Sequence, residues 1–191
     1  MRRLPPSFMG LAGLLGLAWG NAQAQSSSPW PITQIDSLAS VCMPYGGTVD
    51  ETLADQGLVG YSTTTSDNEF DVIIFTPRSN QPVKPGYVLV PEANTFLALL
   101  MKLPNKSFSR AKLKSSFPVT MSSARTGQAM HQIYSGFDAF HQSDATLELT
   151  WVIIGPTMYV FRCFTQLPEE PGAAEDMKHF FTTIHFKQPR P

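Results

Sequence analysis

Basic residues are missing from a stretch of over fifty residues beyond the N-terminal leader, and acidic residues from the middle of the chain. Residues 25–77 hold seven acids (Asp36, Asp50, Glu51, Asp55, Asp67, Glu69, Asp71) and no Lys or Arg. Residues 93–137 hold six cations (Lys102, Lys106, Arg110, Lys112, Lys114, Arg125) and no acid. Totals of 14 basic and 15 acidic residues conceal this segregation and leave a slightly acidic chain, which argues against a nucleic-acid partner. Cysteine is nearly absent, with only Cys42 and Cys163. Beyond the N-terminal leader no apolar run is long enough to span a membrane.

Recognisable chemistry is scarce too. There is no HExxH, HxH or paired-Cys spacing, no phosphate-cradling glycine loop and no tight carboxylate pair. Ser135-Gly136 lacks the preceding glycine of a nucleophile elbow. His131, His141, Asp144, His179 and His185 are the only plausible metal or acid–base set, and their spacing assigns no metal site. His131 falls on the alternation of Ala129 and Ile133, as a core or edge histidine would. No catalytic residue and no cofactor follow from these patterns. A small hydrolase assembled from distant positions remains an alternative.

What is present begins with a leader. Arg2 and Arg3 precede an apolar run at 9–19, and Ala22-Gln23-Ala24 places small residues where a signal peptidase reads them. That run is about 11 residues, well short of the ~20 a spanning helix needs. Residues 1–24 are therefore expected to be a signal peptide and 25–191 a single exported domain, periplasmic or secreted, without a transmembrane segment. No cysteine follows the cleavage site to carry a lipid. In an exported chain two cysteines favour one structural disulfide, Cys42–Cys163.

The strongest folding signal lies at 145–166. Leu147, Leu149, Trp151 and Ile153 alternate with Thr146, Glu148, Thr150 and Val152. After Gly155-Pro156-Thr157, Tyr159, Phe161 and Cys163 alternate with Val160, Arg162 and Phe164. Period 2 on both sides of a turn predicts a long β-hairpin with one apolar face. Residues 70–76, 87–90 and 128–134 predict shorter strands, and 61–69 a polar loop. The apolar run at 91–103 fits either a helix or a buried strand. Ile32, Ile35, Leu38 and Cys42 stand near helical spacing, so 32–42 predicts a helix ending at Cys42. Thr48-Val49-Asp50-Glu51 fits the capping box of a second helix. Met177, Phe180, Phe181 and Ile184 predict a helix over 173–183, with Glu175 and Asp176 in its first turn.

The N-terminal order of helix, Cys42, Pro/Gly turn and helix, with Leu53 and Gly57, resembles the start of small uncharacterised secreted bacterial proteins. The final third, a hairpin followed by an acidic link and a helix with paired Phe, looks somewhat like the end of PsbP/Mog1-type α+β domains. Neither resemblance implies a site. Together these readings predict an α+β fold: an antiparallel sheet centred on the C-terminal hairpin, with N- and C-terminal helices packed on it.

One stretch carries a functional expectation. Residues 108–114 alternate, placing Arg110, Lys112 and Lys114 on one strand face about 6.6 Å apart. Such a row suits acidic groups of a protein, or phosphates of lipid or lipopolysaccharide. It equally suits an edge strand guarded against aggregation, or neutralisation by the acidic segment 25–77. The expected function is that of an exported non-enzymatic binding protein, such as an inhibitor or immunity-type partner of another protein. An anionic lipid or lipopolysaccharide binder, working on an anionic envelope component, is the alternative. Mass analysis of exported protein should find Gln25 at its N-terminus; retention of Arg2 would contradict the leader.

Overall fold

The computed structural model describes residues 30–51, 58–75, 108–121, 129–155 and 157–187. These hold ten strands in two antiparallel sheets and one complete helix. A small sheet contains β1 (Ile32–Gln34), β2 (Ala39–Cys42) and β10 (His185–Phe186), with β2 in the middle. The large sheet contains β3 (Thr48–Val49), β4 (Val59–Thr64), β5 (Asn68–Phe75), β6 (Phe108–Pro118), β7 (Ala129–Asp138), β8 (Ser143–Ile154) and β9 (Thr157–Gln166). Its spatial order is β3-β4-β5-β9-β8-β7-β6. Helix α1 (Ala173–Thr182) follows β9.

The hairpin stands where the alternation predicts it. Ladder pairs run from Ala145↔Gln166 to Ile154↔Thr157, and Gly155 at φ 58 supplies the left-handed conformation of the connection. β9 differs from the expectation in one respect: it is buried on both faces between β5 and β8.

On one face, Tyr159, Phe161 and Cys163 join Phe70 and Val72 of β5 beneath α1 and the small sheet. Phe180 of α1 sits 5.1 Å from the Phe70 ring and 6.4 Å from Phe161, while Phe186 of β10 lies 6.0 Å from Phe161. Each fully buried phenylalanine contributes about 1.5–3 kcal/mol by leaving water. The far face carries Val160, Met158, Ile73, Leu149 and Leu58, and beside them Ala145, Leu147 and Phe164.

The α+β expectation is corrected to a mostly β fold. Residues 32–42 form no helix; β1 and β2 make a tight hairpin with Ile32↔Cys42 and Gln34↔Ser40 paired. Asp36 turns the chain, its Oδ1 accepting the backbone N–H of Leu38 (2.7 Å) and Ala39 (2.8 Å). Ala39, Val41 and Met43 then point inward at period 2. This alternation prevails over the weaker helical spacing because it meets the large core. Thr48 and Val49, expected to cap and open a second helix, form β3 instead; Glu51 is helical, and any continuation past it lies outside the described residues. The loop expected at 61–69 is largely β4 paired with β5. Residues 87–103 lie outside the described residues.

At 173–182 the predicted helix is present, with Phe180 buried and Met177, Phe181 and Ile184 packed against the same core.

The disulfide expectation is corrected as well: Cys42 and Cys163 are free thiols. As a strand residue, Cys42 falls opposite in parity to inward-facing Val41 and Met43, whereas Cys163 lies wholly inside the core. Burial pushes the Cys163 thiol well above its ordinary pKa, which suppresses the reactive thiolate. Without any reductant, native protein should take an alkylating label at Cys42 and a second at Cys163 only after unfolding. Two sulfurs that stay unlabelled until reductant is added would restore the bridge.

Candidate functional site

Arg110, Lys112 and Lys114 lie on β6, the terminal strand of the large sheet among the described residues, and all three are exposed. Regular alternation does not run through them. Ser109 pairs with Phe137 and Lys112 with Ser135, so Arg110 and Ala111 together oppose Gly136. A second irregularity leaves Lys114 between the Leu113↔Tyr134 and Ser115↔Ile133 pairs. The expected single row is therefore corrected to a bent one.

Arg110 adopts φ 56 at the first bulge, and its guanidinium carbon lies 5.5 Å from the centre of the Phe137 ring. Gly136 permits this close approach: a Cβ there would stand 2.5 Å from the Phe108 ring and 2.8 Å from the Ser109 carbonyl oxygen. Leu113 and Phe117 add exposed apolar surface, 53% and 45% accessible, facing opposite sides of the sheet.

Among the described residues the acidic segment does not neutralise these cations. Glu69 and Asp71 sit on β5, four strand positions from β6. At about 4.8 Å per strand the gap is about 19 Å, beyond the ~8 Å screening length at physiological salt. Asp36 is engaged elsewhere, accepting the Tyr159 hydroxyl at 2.7 Å. Among the described residues Arg110, Lys112 and Lys114 make no ion pair.

The histidines separate. Nδ1 of His141 lies 2.5 Å from Oδ2 of wholly buried Asp138 and 2.9 Å from Nε2 of Gln166. The His179 ring packs edge-on against Trp30 at 5.0 Å, and His185 is exposed on β10. His131 bridges Thr150 Oγ1 (2.8 Å) and Glu148 Oε2 (3.2 Å), a trio formed by register between β7 and β8. Its order suggests a nucleophile relay. Thr150, however, is only 3% exposed, and the Phe117 and Phe181 rings each pack 5.1 Å from His131. A buried hydroxyl without a path to substrate serves packing rather than attack. Among the described residues no cluster of His, Cys, Asp or Glu could hold a metal.

Sequence reasoning missed a buried charge cluster on the far face. Arg162 of β9 stands in register with Asp71 of β5. Its Nε and Nη2 donate to Asp71 Oδ2 at 3.0 and 2.5 Å, and Nη2 reaches Glu69 Oε1 at 3.5 Å. Asp71 Oδ1 is buried with no hydrogen-bond partner. Burial raises the Asp71 pKa against the pull of Arg162. For Glu69, burial, then the neighbouring Asp71 charge, push the pKa from 4.5 to about 7, against the weaker pull of Arg162. The only sequence signal was Arg162 set between aromatic residues on a hairpin strand.

No family model and no curated protein matches this chain. Among solved structures it is similar to the Pseudomonas aeruginosa protein PA94, itself of unknown function, with TM-score 0.44 and 12% identity over 86% of this chain and 99% of that one.

Proposed function

We propose that this chain is an exported, non-enzymatic binding protein that docks an acidic partner protein along β6, in the manner of an inhibitor or immunity-type partner. One observation carries the reading: among the described residues Arg110, Lys112 and Lys114 are exposed on a sheet edge, make no ion pair, and lie four strands from the acids of β5. Such a field steers an oppositely charged surface toward the edge. The bulges at Arg110 and Lys114 disfavour simple addition of a partner strand, which needs a regular edge, so side-chain charge leads recognition. Leu113 and Phe117 face opposite sides, which suits a protein surface wrapping the edge better than a flat lipid layer.

The test replaces all three cations with Gln and uses two probes, polyglutamate and phosphatidylglycerol vesicles, at low salt. Wild type should bind polyglutamate, and added salt should weaken that binding. The triple variant should bind about tenfold more weakly, the scale of three exposed charge contacts, while its thermal midpoint is unchanged. Binding to vesicles alone would replace the protein partner with an anionic lipid. A variant that loses stability while retaining polyglutamate binding, or a wild type that ignores both probes, would overturn the proposal.

A further inference from the structure

The far face of the large sheet holds two carboxylates and one guanidinium where water barely reaches. Side-chain exposure is 3% for Arg162, 0% for Asp71 and 26% for Glu69. Glu69 and Asp71 are two residues apart on β5, so the pleat puts both on the same face. Arg162 cannot serve them equally. Asp71, directly across the ladder, takes two donor contacts, and Glu69 is left with one at 3.5 Å.

The remaining surroundings among the described residues do not offset a second negative charge. From β4, Thr64 and Ser62 stand opposite Glu69 and Asp71, and neither is charged. Across β9, Phe164 flanks Glu69, and from β8 Leu149 flanks Arg162. Among the described residues the other charged groups felt by Glu69 are both acids, Asp50 just beyond β3 and Asp138 at the end of β7. Among the described residues Arg162 is the one cation acting on Glu69.

We propose that Glu69, Asp71 and Arg162 form a one-proton switch: Asp71 holds the guanidinium, Glu69 carries a proton, and its loss loosens the junction of β4, β5 and β9. The chemistry is that of two acids competing for one buried cation, where the worse-placed acid stays neutral. Release of the proton leaves two adjacent carboxylates sharing a single guanidinium. Glu69 is the partly exposed member, so it relieves the repulsion by turning toward water and giving up its contact with Arg162.

The direction of the pH effect follows from linkage. In the folded chain Glu69 binds its proton more tightly than in the unfolded chain, with a pKa of about 7 against 4.5. Its stabilising contribution is complete below about pH 4.5 and is lost as pH rises through 7. This is opposite to an ordinary ion-paired carboxylate, whose contribution disappears on acidification.

Two measurements test the switch on the whole mature chain. In the first, the carboxyl carbon of Glu69 is titrated by NMR in the wild type. An inflection near 7 is expected, and one near the ordinary 4.5 overturns the proposal. In the second, wild type and Glu69→Gln are unfolded by denaturant at pH 4 and pH 8. The glutamine is a neutral isostere of the protonated acid. The two proteins should match at pH 4, and at pH 8 the variant's folded-to-unfolded ratio should exceed wild type by about tenfold. That is the worth of one pKa unit, less than the full displacement because Glu69 is partly exposed. Equal pH dependence in the two proteins overturns the switch, and the NMR titration decides alone if the variant does not fold.

Discussion

β9 meets water on neither face, and the rest of the described structure follows from that constraint. A strand in this position needs a hydrogen-bonding partner on each side and cover above and below. β8 and β5 supply the ladders. On the helix side, Tyr159, Phe161 and Cys163 are closed over by Phe180 of α1 and by Val41, Met43 and Phe186 of the small sheet. On the far side the same strand must accommodate Arg162. A guanidinium removed from water requires an acid, and Asp71 meets it in register. The tension at Glu69 is therefore a by-product of burying β9: one cation anchors the strand, and the second acid on β5 has to share it.

Order of strands also separates the charges. The acidic strand β5 lies next to β9 near the middle of the sheet, with Asp71 wholly buried and Glu69 mostly so. β6 lies at the edge and faces its cations outward. The segregation visible along the chain is thus converted into two environments: an inward cluster that holds a proton and an outward edge that presents positive charge. Bulges at the edge serve both readings of its lysines, since they bend the strand away from regular pairing while leaving the cations accessible.

Much of this was legible in the sequence where the pattern was local and long. The hairpin alternates over two full strands, and α1 repeats its apolar residues at helical spacing, so both could be read directly. At 32–42 two periods coexist. Ile32, Ile35 and Leu38 suggest a helix, while Ala39, Val41 and Met43 suggest a strand, and only the core they face decides between them. That error moved Cys42 onto the wrong face and produced an unformed disulfide. For the candidate site, the identity of Arg110, Lys112 and Lys114 was legible, but their exposure was left open and their regular shared face was not real. The bend depends on Gly136 of a neighbouring strand, which accepts the Phe108 ring where a side chain would collide. Arg162 was hidden for a different reason: in an alternating strand a charged residue implies water, and its partner Asp71 is remote in sequence.

The central claim is a rigid sheet interior built on β9 and an open, charged edge at β6. Native-state amide hydrogen exchange tests it most directly. β9 amides should exchange only through global unfolding, with denaturant sensitivity equal to that of the whole domain. Along β6, the amides of Arg110 and Lys114 should exchange through local opening and respond little to denaturant. Equal protection of β6 and β9, or fast exchange within β9, would contradict it.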